Sequence, residues 1–226
     1  MRKPVLVFDF DNTVTRGDLL DQLIERFSPN DEWKRWEAAW VEGRLSALEC
    51  LSRQLRNMRV SRGELLAHAC EVELDPWFGP IVRWAQARRA EILIVSDSFS
   101  PIIEAVLAHN GIEGLPVFAN HLEFVGEDEL APSFPHHFAN CARSANAKHM
   151  HLIPFATRPI VFAGDGRSDL DAALEATTVF AKDTLARELT RLAVPYHPFR
   201  SLEAVLAFLR SEYADQAPAS KRPAEA

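Results

Sequence analysis

The hydrophobic pattern divides the chain into segments of two kinds. Residues 5–8 (Val-Leu-Val-Phe) form a short unbroken apolar run, mostly β-branched or aromatic, which predicts a strand buried on both faces. From 16 to about 78 the apolar positions recur at helical spacing instead, and four amphipathic helices are expected at 18–27, 31–41, 46–58 and 61–70. Ser28-Pro29-Asn30 breaks the first, Gly43 ends the second, and Ser46 with Glu49 three residues later reads as a capping box. Four helices inserted directly after one strand predict a small helical cap rather than a β-α-β unit. Residues 74–78, with Pro76 among them, lead the chain back.

Alternation then resumes. A helix is expected at 80–89, a strand at 91–95, and a helix at 100–109 ended by Asn110-Gly111. A third strand at 116–119 is followed by a short hairpin around Gly126 within 122–135. The rest reads as helix 145–155, strand 159–163, helix 168–176, strand 177–181, helix 184–192, an edge strand at 194–197 and a closing helix at 201–213. Strands alternating with helices predict an α/β fold with a doubly wound parallel sheet. Its core would be 1–15 with 79–213, and its cap 16–78. Residues 214–226, rich in Ala, Pro, Lys and Glu, read as a disordered tail.

Composition narrows the function classes. Of 226 residues, 47% are hydrophobic and 25% charged, which excludes global disorder. A net charge of -7 argues against a general nucleic-acid or anionic-membrane binder, since both surfaces would repel it, while leaving room for local basic pockets. Three cysteines, Cys50, Cys70 and Cys141, widely spaced and without a CxxC pair, argue against a disulfide framework and a structural zinc site. The apolar run 5–8 is too short for a signal sequence, so a cytoplasmic setting is expected.

Three strand ends carry polar residues that call for a chemical reason: Asp9 and Asp11 after the first, Ser96-Asp97-Ser98 after the second, and Gly164-Asp165-Gly166-Arg167-Ser168-Asp169 after the strand at 159–163. All belong on the carboxyl edge of the sheet, where open α/β sheets bind ligands. Asp9, Asp11 and Asp165 suit Mg²⁺ by charge and ligand type, because that cation keeps several waters and needs only one or two carboxylates plus substrate oxygens. Magnesium in turn favours a phosphate ligand. His136, His137, His149 and His151 raise a zinc cluster as an alternative, set against solvated or loop-packing roles. Trp33, Trp36 and Trp40 recur at helical spacing and are expected to pack the cap, with an aromatic cage for a choline-like cation as the other reading.

Asp-Phe-Asp-Asn-Thr at 9–13, Ser96 after a strand, Lys148, and Gly-Asp-Gly-Arg-Ser-Asp at 164–169 follow the order and spacing of the haloacid dehalogenase-like phosphatases, which the chain resembles from about 4 to 210. Its helical insert resembles the small cap of the phosphoserine-phosphatase-like branch. The resemblance implies a Rossmann-like core and a Mg²⁺-dependent phosphomonoesterase acting on a small phosphorylated metabolite. It makes Asp9 the nucleophile that forms an aspartyl-phosphate and Asp11 the acid and then base. Ser96, Lys148 and backbone N–H groups after Asp9 would hold the phosphate. Asp9 and Asp165 side chains and the Asp11 backbone carbonyl would hold the metal, with Asp169 as an outer group. Thr13 would fix the loop at the substrate end, and Asp97 would stand beside the substrate.

From the cap, Asp18 and Arg53 are expected to read the leaving group. Phosphoserine phosphatases place a glutamate and an arginine there; this chain has Asp18 and Gln54, and the missing arginine argues against phosphoserine. Asn120-His121, Phe134-Pro135-His136 and Arg53 resemble the methionine-salvage phosphatases of a phosphorylated 5-methylthio-ketopentene, whereas Ser96-Asp97-Ser98 and 141–149 resemble phosphocholine and phosphoethanolamine phosphatases. The runner-up activities are phosphoryl transfer and phosphonate hydrolysis with the same aspartate. A non-catalytic phospho-ligand binder would need the nucleophile missing, and Asp9 is present. Substrate identity and oligomeric state are not legible.

Overall fold

The structure is a computed structural model that describes residues 2–139 and 141–214; apart from residue 214, the tail expected at 214–226 lies outside the described residues. Seven strands, β1 (Val5–Phe8), β2 (Glu91–Phe99), β3 (Val117–Val125), β4 (Glu129–Ser133), β5 (Ile160–Gly164), β6 (Thr178–Ala181) and β7 (His197–Pro198), form one sheet in the order β4-β3-β2-β1-β5-β6-β7. All pairs are parallel except β3 with β4. Central β1 pairs Leu6 with Ile92 on one side and Val161 on the other, which satisfies its backbone and buries its side chains on both faces.

Alternate residues of each strand feed two cores. Val5 and Val7 join Leu93, Phe162 and the helices α7 (Leu170–Glu175) and α8 (Asp183–Arg191). Leu6 and Phe8 face the other way, toward α5 (Phe78–Arg88), α6 (Ser100–His109) and α9 (Glu203–Glu212). Between β1 and α5 come α1 (Leu19–Phe27), α2 (Glu32–Val41), α3 (Ala47–Asn57) and α4 (Arg62–Ala69); buried leucines of α1, α3 and α4 merge with this second core, and Trp33 of α2 packs against it. The capping box expected at Ser46 is present, α1 and α4 are also capped by side chains, and Asp31 makes no side-chain cap at α2. Asp18 accepts from the Asp21 N–H, and Ser46 and Glu49 form a reciprocal capping box.

Four elements differ from expectation, among them the edge strand expected at 194–197, which is His197–Pro198. β2 continues to Phe99, so Ser96, Asp97 and Ser98 belong to the strand rather than following it. The helix expected at 145–155 is a 3₁₀ segment, Lys148–Phe155, containing Pro154. The three residues before it lie outside the helix, with the N–H groups of Ala145 and Asn146 donating to Asp97 and that of Ala147 to the His136 carbonyl. The third strand also runs on into the hairpin, with Gly126 (φ 65°) in the turn between β3 and β4.

Candidate active site

Asp9 leaves the end of β1, and the segment 164–169 leaves the end of neighbouring β5, so both loops meet at one edge of the sheet. Between them lies the Lys148 ammonium, which donates at 2.7 Å to Asp9 Oδ1 and at 2.7 Å to Asp169 Oδ1; the three side chains are 1%, 8% and 0% exposed. Asp169 turns its other oxygen to the N–H groups of Asp165 (3.0 Å) and Gly166 (2.9 Å), folding the loop around itself. That approach needs glycine at 164, because a Cβ there would stand 2.7 Å from Asp169 Cγ.

Asp165 is held on both oxygens, by Asn12 Nδ2 (2.8 Å) and Thr13 Oγ1 (3.0 Å). Asn12 occupies a left-handed conformation (φ 51°) that turns its amide toward Asp165 and Asp183. Burial, then the Asp169 carboxylate, push Asp9 well above the usual carboxylate range against the pull of Lys148. The same two causes bring Asp165 up to about 6. For Lys148, burial alone would favour the neutral amine, but Asp169, Asp9 and Asp97 outweigh it and hold the ammonium. Three carboxylates facing one lysine leave an excess of negative charge. Oxygens of Asp9, Asp165 and Asp169 lie within 4.8 Å of one another, an all-oxygen donor set suited to a hard divalent cation.

Lys148 is aimed from a distance. Asp97, at the end of β2, accepts from Ser144 Oγ (2.6 Å) and from the N–H groups of Ala145 (2.9 Å) and Asn146 (3.1 Å), which pins the turn before the lysine. Asn146 donates its side-chain amide to the Ser96 and Phe118 carbonyls where the β2–β3 register shifts, and its oxygen pairs with His151 Nε2 at 2.8 Å. His151 also stacks on Phe118 with His136 at its edge. The histidines therefore pack this loop. Asp97 borders the cavity, yet its carboxylate is spent on the loop.

The cavity over this edge measures about 140 Å³, and it is lined by the core residues Asp9, Asp11, Ser96, Ser98, Lys148 and Asp165 and by a wall from α1, α2 and α3. Asp11 accepts from the Leu20 N–H at 3.0 Å; burial and then the Asp18 carboxylate push it up to about 7. Ser96 Oγ accepts from the Ser98 N–H at 3.0 Å. Asp18 lines the mouth while capping α1. Arg53 is not brought here. It is exposed and borders a separate groove with Arg35, Trp36 and Arg44, because one residue along α3 turns the side chain by about 100° and leaves buried Gln54 facing the cavity. The tryptophans diverge likewise: Trp33 packs on the core, Trp36 borders that outer groove and Trp40 lines the cavity. The sequence assigns no role to Glu37, Asn12 and Asn146, although Asn12 sits within the 9–13 motif and Asn146 within 141–149; their roles come from contacts distant in sequence.

A sequence model described as haloacid dehalogenase-like hydrolase matches residues 6–174. A 2-hydroxy-3-keto-5-methylthiopentenyl-1-phosphate phosphatase of Brevibacillus brevis is 24% identical over 217 residues, covering 92% of this chain and 96% of its own. A polyol phosphate phosphatase of Saccharomyces cerevisiae is 26% identical over 233 residues, covering 96% of each. Among solved structures, a phospho-aspartyl intermediate analogue of phosphoserine phosphatase matches with a TM-score of 0.71 at 17% identity, covering 92% of this chain and 99% of its own, a likeness of fold.

Proposed function

The chain belongs to the haloacid dehalogenase-like hydrolase family and is a phosphoric monoester hydrolase for small phosphorylated metabolites, and from that premise we propose that it works with Mg²⁺ through an aspartyl-phosphate on Asp9. The observation that carries the proposal is the convergence of Asp9, Asp165 and Asp169 oxygens beside buried Lys148, with Asp9, Asp165 and Lys148 lining a cavity. Those donors fit Mg²⁺ in charge and hardness. When bound, the cation supplies charge neutralisation between the nucleophile and the phosphate it approaches.

In this reading an Asp9 carboxylate oxygen forms a bond to phosphorus as the ester oxygen leaves. Asp11 gives its proton to that oxygen, releasing the alcohol. Asp11 then takes a proton from a water that attacks the acyl phosphate, which returns Asp9 as carboxylate and frees inorganic phosphate. Burial keeps a proton available on Asp11 near neutrality, and the Leu20 N–H fixes its direction. Ser96 and Lys148 hold phosphate oxygens, so most of the catalysis is placement and charge. Thr13 and Asn12 keep Asp165 in place, and Asp97 acts through the Lys148 loop. Residues 16–78 serve as a cap over a core made of 1–15 and 79–213, in a cytoplasmic setting. Among the described residues no helix is long and apolar enough to cross a membrane.

The test is phosphate release from a panel of small phosphate esters with Mg²⁺. Chelation and Asp9→Asn should each abolish it. Undiminished release by the Asp9→Asn protein removes Asp9 from the role of nucleophile.

A further inference from the structure

The end of the cavity where the leaving group must lie is acidic, and among the described residues that line it no cation is left unengaged. Glu37, on α2, turns Oε2 toward α3, where Gln54 Nε2 donates to it at 3.2 Å and the Cys50 thiol at 3.7 Å. Both donors are buried and neutral, so they orient the carboxylate without cancelling its charge. No described residue donates to its second oxygen, and Glu37 lines the cavity. Asp18 and Asp21 share that wall. The two cations at hand are already engaged: Lys148 with Asp9 and Asp169, and Arg167 with the Val41 carbonyl (3.0 Å) and the face of Trp40 (5.8 Å). On the core side, Ser98 Oγ also lines the cavity and is buried. It lies close enough to Asp11 to favour that group's charged form, but it makes no hydrogen bond of good geometry. A buried hydroxyl bordering a cavity without a well-formed bond is placed to take a polar group of the ligand.

We propose that Glu37, oriented by Gln54 and Cys50, is a specificity-determining residue that receives an ammonium or hydroxyl of the leaving group, so that the enzyme selects phosphate esters of amino alcohols and polyols over esters bearing a carboxylate. The inference rests on the phosphatase reading. A donor on the leaving group gains a charge-assisted hydrogen bond at Glu37. A carboxylate there meets Glu37, Asp18 and Asp21 with no compensating cation, and like charges in a partly desolvated cavity repel strongly. Ser98 offers a second polar contact to a leaving group with more than one hydroxyl.

The test compares kcat/KM for phosphoethanolamine, glycerol phosphate and phosphoglycolate, each divided by the value for 4-nitrophenyl phosphate, in the wild type, Glu37→Gln and Gln54→Leu. The wild type should rank phosphoglycolate last. Glu37→Gln should lower the ratio for the amine or polyol ester by about tenfold or more and narrow the gap to phosphoglycolate. Gln54→Leu should move it the same way by less. A fall for phosphoethanolamine alone identifies ammonium as the preferred donor, and a fall for both shows that a hydroxyl suffices. Unchanged ratios in Glu37→Gln, or a wild type that favours phosphoglycolate, overturn the inference. Thermal-shift titration with aminoethylphosphonate and phosphonoacetate reads the same selection without turnover. If no ester is hydrolysed, the phosphatase reading fails, and the phosphonates decide the selection alone. A preference for aminoethylphosphonate that Glu37→Gln abolishes upholds it, and indifference refutes it. Should Glu37→Gln fail to fold, the order of the two phosphonates on the wild type decides.

Discussion

A lysine ammonium taken out of water between two carboxylates is held by them as firmly as it holds them, so Lys148 supports the fold as well as the chemistry. Removing it strands Asp9 and Asp169 as buried charges, a loss of about 3–5 kcal/mol by analogy with broken buried ion pairs. Lys148→Ala should therefore melt well below the wild type by calorimetry, with added Mg²⁺ recovering part of the difference; an unchanged melting temperature contradicts this account of the site. Asp97 shows the limit of reading residues from a motif. Its type and place suggest contact with substrate, but three donors from 144–146 consume its carboxylate. Asp97→Ala leaves the Ala145 N–H without its acceptor and takes one of two from the Asn146 N–H, which costs about 1–3 kcal/mol and lets Lys148 drift. Stability and kcat should fall together, whereas a residue that only contacts substrate would raise KM and leave the melting temperature alone. That Asp9, Asp11, Lys148, Asp165 and Asp169 would gather at one edge of the sheet was legible because their spacing is a pattern. Asn12, Glu37 and Asn146 were not, because nothing local marks a partner more than a hundred residues away, as with Asn12 and Asp165, or on the next helix, as with Glu37 and Gln54.

Among the elements, the four helices after β1 were readable to within a residue or two because their caps and periodicity agree. The end of β2 and the start of the 3₁₀ segment were not. Ser96, Asp97 and Ser98 look like turn formers, yet the Asn120 and Asn146 amides bond the Asp97 and Ser96 carbonyls where the β2–β3 ladder opens. His151 ties into the same junction. Burial, helped by His136 and His149, lowers it from 6.5 to about 4, so it stays neutral in the fold while the unfolded chain takes up its proton at higher pH. Between about 4 and 6.5 the unfolded state binds more protons, so this contribution to stability is complete above that window and is lost as pH falls through it. His151→Phe, which keeps an aromatic ring against Phe118 but binds no proton, should show a flatter melting temperature across that window. Equal slopes in the two proteins would remove His151 as the source.

For the molecule as a whole, the sheet supplies a rigid edge and the helices α1 to α3 supply the wall opposite, and a few long-range bonds join the helical insert to the core. The Ala47 N–H donates to the Ala142 carbonyl, the Val60 N–H to the Asp128 carbonyl, and Arg167 crosses from the loop after β5 to Val41 and Trp40. Arg167→Ala should speed hydrogen exchange in α2 while β1 and β5 keep their protection, since it cuts a tie at the cavity mouth and leaves the core intact. Uniformly faster exchange would assign Arg167 to global stability instead. The central claim is that Asp9 carries the phosphoryl group, and its most direct measurement is mass analysis of protein quenched in acid during turnover of a small phosphate ester with Mg²⁺. The expected result is one added phosphoryl group on the peptide containing Asp9, lost in Asp9→Asn and more abundant when Asp11 is replaced by asparagine, which still allows attack on an aryl phosphate but slows hydrolysis of the acyl phosphate. Phosphate release without any such adduct on Asp9, or an adduct on another residue, contradicts it.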